Sequence, residues 1–483
     1  MQNILTRVFA LIICLQPTSY LGAQHEKTVA EQVRSHLDSL EASDQFSGVV
    51  LIAKSGKILF SKAYGYANLA DSIANKMDTR FNLASMNKMF TGLAIMQLVQ
   101  AGKLALHEKV GTYLPEYPNR SVRDSVSIDQ LLTHTSGMGN FWEEHARLAK
   151  ERFKTVADYL PLFVDQKLSF VPGSKFAYSN SGFMVLGLII EKVTGEDYFT
   201  YVRKHIYEPA DMNDTESYAL DEVVPRLATG YTMSTEQSGQ WKNNIWSNVV
   251  KGTPAGGGYS TAGDLFNFAT ALQSFKLLNK ENTVAYTMGR VKYAKGKYGY
   301  GLSEEIINGN RVLGHTGGHY GIANELMILP ELGYVVVILT NGEVENYWEA
   351  SNFIKRKLTG TTPAIDNYFF TRHICNLIAA NGYDHGIKEI KRQQGRFAIR
   401  EGVVERIAFR SLFVGNNTLG IALFTLNADL FPESPVAEYN LAEAYYVTGN
   451  ATAAIRHYER YLQMQPDDED AARKLAMVRR KGK

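Results

Sequence analysis

The sequence predicts an α+β domain with an antiparallel sheet, followed by an all-helical repeat domain. Three observations predict it. Strand-like runs stand near the start of the chain (48–60) and again at 311–341, with a long helical stretch between them, so the sheet must be assembled from both ends. A composition break falls at Thr359-Gly360-Thr361-Thr362-Pro363. Beyond the break the pattern changes to paired helices with an internal period of 34 residues.

The chain opens on a targeting pattern. Arg7 precedes the apolar run Val8 to Leu15, and a more polar stretch ends Leu21-Gly22-Ala23 before Gln24. This is the layout of a secretory signal peptide cleaved after Ala23, and it predicts export to the periplasm or the exterior. The run falls short of the roughly 20 apolar residues that span a bilayer, so no stable membrane insertion is expected. Cys14 follows Ile13, which is not the small residue expected at a lipoprotein processing site. With the leader removed only Cys375 remains, in the apolar stretch His373 to Ala380, so the mature chain forms no internal disulfide and this thiol reads as buried and inert.

Glu26 to Ala42 reads as a helix, with Val29, Val33, Leu37 and Leu40 at helical spacing. Ser47 to Gly65 reads as a hairpin: Gly48 to Ala53, a turn at Ser55-Gly56, and Ile58-Leu59-Phe60 returning. Met89 to Ala101 is a helix apolar on more than one side, stopped by Gly102. Phe183 to Val193 is a second apolar helix. Ile322 to Leu329 and Tyr334 to Leu339 are strands, and Glu345 to Leu358 is the last helix of the domain. In the tail, Gly415 and Gly449, Phe424 and Tyr458, and Pro432 and Pro466 are each 34 apart. The expected division is therefore leader 1–23, catalytic domain 24–360 and helical domain 361–483.

Charge excludes some functions. The chain carries 51 basic and 49 acidic residues, scattered rather than striped, so neither nucleic acid nor an acidic membrane surface is indicated as a partner.

Three motifs carry the chemistry. Ser85-Met86-Asn87-Lys88 stands at the head of the Met89 helix, where residues three apart share a face. A serine hydroxyl is a poor nucleophile until a neighbouring amine accepts its proton and helix-start N–H groups favour the negative charge. An isolated serine-x-x-lysine tetrad would prove little in a chain of 483 residues. Two further motifs follow it in order: Tyr178-Ser179-Asn180, between the turn Pro172-Gly173-Ser174 and the Phe183 helix, and His315-Thr316-Gly317-Gly318, after a short strand.

This ordered triple resembles the serine β-lactamase and penicillin-binding protein superfamily, in particular its branch of class C β-lactamases, D,D-carboxypeptidases, D-aminopeptidases and esterases. The resemblance covers roughly residues 30–360 and extends to Leu131-Leu132-Thr133-His134-Thr135-Ser136-Gly137 and Ala255-Gly256-Gly257-Gly258-Tyr259-Ser260-Thr261. It implies a sheet of five or more strands beside an all-helical region, with the active site at their junction. It also implies a serine hydrolase that needs no cofactor. The tail, with Leu441, Ala442, Tyr445, Gly449, Ala454, Tyr458 and Pro466, resembles the tetratricopeptide repeat and suggests a platform for a protein partner.

Acyl transfer needs a nucleophile, a base, oxyanion stabilisation and an acid. Ser85 is the expected nucleophile. Lys88 serves as its base only if its pKa falls well below the free value near 10.4; otherwise its charge assists Tyr178 as the base. The residues leave that choice open. Asn180 is expected to hold a substrate carbonyl and the Lys88 amine. The backbone N–H groups of Ser85 and Gly318 are expected to form the oxyanion hole, and His315 and Thr316 to bind substrate, with His315 donating to a substrate carboxylate. A histidine in place of the lysine of most β-lactamases argues against strong β-lactamase activity. Small amides or esters such as D-amino-acid peptides are the expected substrates, with a β-lactamase or a non-catalytic sensor as the alternatives.

Other features read blandly. His315 and His319 lack a third ligand, so no metal site is expected. His134 reads as part of a helix-ending turn, and Gly258-Tyr259-Ser260-Thr261-Ala262 as a near miss to a nucleophile elbow. Tyr231, Trp241 and Trp246 either line a substrate mouth or cover a loop. The loops Arg147 to Phe170 and Ala219 to Val250 carry no readable specificity.

Overall fold

A computed structural model describes residues 16–233, 239–294, 296–342 and 344–481. Most of the expected leader, including Arg7, the apolar run and Cys14, lies outside the described residues. Among the described residues, no helix is long and apolar enough to cross a membrane. Two compact units result: the residues up to Tyr231 with Asn243–Thr359, and Thr232–Lys242 with the residues from Gly360 onward.

The first unit is built on one antiparallel sheet of eight strands. β1 (Gly48–Lys54) and β2 (Lys57–Tyr64) come from its start, and β3 (Val291–Tyr293), β4 (Gly296–Tyr298), β5 (Ser303–Ile307), β6 (Asn310–His319), β7 (Ile322–Leu329) and β8 (Tyr334–Thr340) from its end. The spatial order is β2-β1-β8-β7-β6-β5-β4-β3. β1 therefore joins the two halves by pairing with the last strand, with Leu51 opposite Val337. The β1–β2 turn is the expected Ser55-Gly56, both with positive φ, as a tight hairpin requires.

Both faces of the sheet are covered, which is why β1 and β8 read as unbroken apolar runs rather than alternating ones. Val49, Leu51, Val337 and Leu339 point into the main core with α2 (Asn87–Gln100), α3 (Asn180–Thr194) and α4 (Ala262–Gln273). Val50, Ile52, Val336 and Ile338 face the other way, against α1 (Gln16–Ala42) and α5 (Val344–Thr359). Each such side chain contributes about 1.5–3 kcal/mol by leaving water. α2 is buried on every side from Asn87 to Met96, matching its lack of a polar face.

β6 runs through the whole third motif to His319, because β7 pairs with it as far as Ile322. The expectation that the strand ends before His315 is corrected on this point, and the correction matters for the site.

In the second unit, helices α6 (Pro363–Asn381), α7 (Tyr383–Arg392), α8 (Glu401–Phe413), α9 (Asn417–Leu430), α10 (Pro435–Val447), α11 (Ala451–Met464) and α12 (Glu469–Lys481) follow one another. α8, α10 and α12 begin 34 residues apart, as do α7, α9 and α11. The period of the sequence is thus a period of helix pairs. Gly415 and Gly449 turn each pair in left-handed backbone, and Asn416 and Asn450 cap the second helix of each. Cys375 is buried and free.

Candidate active site

Ser85 lies in a short 3-10 turn, Ala84–Met86, that runs directly into α2. The turn is held in an unusual shape. Ala84 has a φ of +44°, a left-handed conformation that an L-residue keeps only when its surroundings enforce it. Asn82 Oδ1 accepts from the Ala84 N–H at 2.9 Å, and the Ala84 carbonyl accepts from Gly257 N–H at 3.1 Å. The Ser85 N–H sits where a helix start leaves donors without intrahelical partners.

Lys88 follows one turn later and is fully buried. Its Nζ lies 2.7 Å from Asn180 Oδ1, 2.5 Å from the Ala255 carbonyl and 3.3 Å from Ser85 Oγ. It also sits 4.8 Å from the Tyr178 ring centroid. Burial holds the pKa of Lys88 well below its ordinary value. A neutral amine has two hydrogens and one lone pair. The two carbonyl oxygens take the hydrogens, which leaves the lone pair for the Ser85 hydroxyl.

Tyr178 shifts the opposite way. Its ring edge reaches solvent, but burial of the phenol end raises its pKa, opposed only by a hydrogen bond with Ser85. Near neutral pH the pair is therefore a free amine and an intact phenol. Asn180 opens α3, which Ser179 caps by accepting from Gly182 N–H. Asn140 Oδ1 accepts from both the backbone N–H and the side-chain Nδ2 of Asn180, at 2.9 and 2.8 Å, which aims Oδ1 of Asn180 at Lys88.

Ser85, Tyr178, Asn180 and Gly318 line one cavity of about 200 Å³, walled by Phe141, Trp142, Val249 and His319. Gly317 faces away from it: a Cβ there would lie 2.1 Å from the Leu83 carbonyl, so β6 can pass behind the nucleophile turn only with glycine at this position. At Gly318 nothing stands within 4 Å of that point, which leaves room for substrate against the strand.

The residues matched by a model of the family described as Beta-lactamase are 33–359. The chain belongs to the beta-lactamase family. It is a serine hydrolase of the β-lactamase and penicillin-binding protein superfamily. Penicillin-binding protein 4* of Bacillus subtilis (strain 168) is 28% identical over 344 residues, which cover 65% of this chain and 73% of that relative. A penicillin-binding protein structure from Bacillus halodurans matches with a TM-score of 0.61 and 32% identity, covering 66% of this chain and 98% of that one. The D-amino acid amidase of Ochrobactrum anthropi SV3 has the same fold, with a TM-score of 0.58 and 21% identity over 69% of this chain and 98% of its own.

Within this family member, the third motif departs from the expectation set for His315. Successive residues of a strand point to opposite faces. Thr316 and Gly318 are exposed on the cavity side, whereas His315 is buried. Its Nδ1 donates to the Thr316 carbonyl at 2.5 Å, so its Nε2 accepts from the Tyr298 hydroxyl at 2.9 Å. Burial and the neighbouring Lys88 push its pKa down to about 3. A neutral ring with both nitrogens engaged does not donate to a substrate carboxylate.

Several residues escaped sequence reasoning. Ala255 acts through a carbonyl, which no side-chain pattern reveals, although its glycine-rich stretch stood out. Asn140 carries no motif. Trp142 stacks on His319, 5.2 Å between ring centroids, and only folding joins them. Of the three aromatics singled out, Tyr231 uses its hydroxyl to accept from Leu69 N–H, Trp241 packs on Phe413 in the second unit, and Trp246 is exposed. Ser260 is buried and bonded to Thr215, away from the cavity. Among the described residues, no cluster of three or more metal-ligating side chains occurs.

Proposed function

We propose that this protein is an exported hydrolase that cleaves a small amide or ester, such as a D-amino-acid peptide or ester, through an acyl-Ser85 intermediate. The observation that carries the reading is Lys88: a buried, neutral amine with its lone pair directed at the Ser85 hydroxyl. Lys88 takes the Ser85 proton as Oγ attacks the substrate carbonyl. The Ser85 and Gly318 N–H groups receive the oxyanion, at about 3–4 kcal/mol for each donor. Tyr178, still protonated, gives its proton to the leaving group and is reprotonated by Lys88, which resets the base. Water then enters and the same transfers release the acid.

The substrate class rests on two supports. Relatives with this fold include a D-amino acid amidase and a D-stereospecific amidohydrolase. His315, neutral and turned inward, supplies no cation for a substrate carboxylate, which favours neutral amides and esters over β-lactams. Incubation with a fluorophosphonate and with a penicillin probe, followed by turnover of p-nitrophenyl esters, D-phenylalanine amide and nitrocefin, tests the reading. Labelling of the wild-type chain that disappears in Ser85→Ala is expected; labelling that persists in Ser85→Ala overturns it.

The helix pairs beyond Gly360 read as a tetratricopeptide-like platform for a protein partner, supported by their 34-residue period. A chain ending at Gly360 is expected to keep hydrolysis of small esters and to lose partner binding. Export rests on Arg7 and the apolar run after it. N-terminal sequencing of secreted protein is expected to begin at Gln24.

A further inference from the structure

His134 lies outside the three motifs, yet it touches the catalytic tyrosine segment at three consecutive residues. Its carbonyl accepts from Ala177 N–H at 2.9 Å. Its ring lies 4.2 Å from that of Tyr178, centroid to centroid. Its Nδ1 accepts from Ser179 N–H at 3.1 Å. On its far side the ring meets Tyr298 at 4.6 Å, the residue whose hydroxyl donates to His315.

The tautomer follows from these contacts. A backbone N–H can only donate, so Nδ1 carries the lone pair and the ring proton is on Nε2. That Nε2 is buried without a hydrogen-bond partner. Burial, with Lys88 and His315 nearby, keeps the ring uncharged. His134 therefore has no free lone pair with which to act as a base. Its backbone is left-handed, with φ at +57°, an outlier for a bulky residue that the surroundings must hold in place. What this arrangement does is grip the chain on both sides of Tyr178 and press on the phenol ring.

We propose that His134 is a positioning residue that holds Tyr178 as the proton donor to the leaving group. The inference rests on the acyl-Ser85 reading above. It predicts a dependence on leaving group that a merely structural residue would not show. A p-nitrophenolate departs without a proton, whereas an ethoxide needs one. The matched pair of p-nitrophenyl butyrate and ethyl butyrate keeps the acyl group constant.

The test uses His134→Asn in the full-length chain, since asparagine tolerates left-handed backbone and retains an acceptor. His134→Gln, with the same acceptor on a longer arm, is measured alongside. Expected is a fall of about ten- to a hundred-fold in kcat/KM for the ethyl ester, of the size a misplaced group causes, and less than about three-fold for the p-nitrophenyl ester. In a Tyr178→Phe background, His134→Asn should change the ratio of the two rates no further. Wild-type turnover of both esters, lost in Ser85→Ala, reports separately on the hydrolase reading. An equal fall on both esters in the His134 variants, or a further change of ratio in the Tyr178→Phe background, overturns the positioning role.

Discussion

Lys88 and Asn180, 92 residues apart in the chain, are joined by a 2.7 Å hydrogen bond from Nζ to Oδ1. The bond crosses from α2 to α3 and ends on the same amine that contacts Ser85. Because Oδ1 is a neutral acceptor, it orients the amine without favouring its charged form.

Replacing that neutral acceptor by a carboxylate should therefore disable the base. In Asn180→Asp the new charge beside Lys88 stabilises the ammonium and raises its pKa. A base must be unprotonated to act, so the acid limb of the kcat/KM profile should move to higher pH. Activity at pH 7 should fall by about a hundred-fold if the shift is about two units, and recover as pH rises. An acid limb that stays in place would show that Lys88 is not the titrating base.

Lys88→Ala and Tyr178→Phe should each slow acylation by about 10²–10⁴-fold. The double variant should be little slower than the worse single one, because members of one catalytic unit do not contribute independently. Rates of fluorophosphonate labelling measure this, and a double loss equal to the product of the single losses would contradict a shared unit.

Gly317 and Gly318 should respond differently to alanine. Gly317→Ala drives a methyl into the Leu83 carbonyl, and should cost about 1–3 kcal/mol of stability together with activity. Gly318→Ala meets nothing within 4 Å, so the melting temperature should hold while KM rises as the cavity narrows. Equal melting temperatures for the two variants would refute the close passage of β6 behind the nucleophile turn.

His315 should make the fold sensitive to acid. Its folded pKa is about 3 against an ordinary 6.5, so between those values the unfolded chain binds more protons. Stability then rises with pH through this window and is lost as pH falls from 6.5 towards 3. His315→Gln, which cannot charge, should show a shallower decline of melting temperature over the same range. His134, also held below its usual value by burial, keeps the slope from vanishing. An unchanged slope would mean that His315 is already solvated in the folded chain.

Much of the site was legible because its motifs are local. Ser85 and Lys88 are three apart on one helical turn, and Ser179 caps α3 immediately before Asn180. The misreading of His315 came from ending the strand too early. Once β6 is known to run to His319, parity alone places Thr316 and Gly318 on one face and His315 on the other. His134 was legible only as a turn, since its grip on residues 177–179 spans more than 40 positions and leaves no periodic trace.

The sequence by itself determined the order of the elements, the nucleophile turn and the 34-residue helix pairs, all of which rest on spacing along the chain. Tertiary structure decided the protonation of Lys88 and Tyr178, the Ala255 carbonyl as a partner, and the inward turn of His315. Those properties depend on desolvation and on hydrogen bonds between distant segments. Burial is a property of the assembled core, and no local pattern encodes how far a given amine or imidazole lies from water.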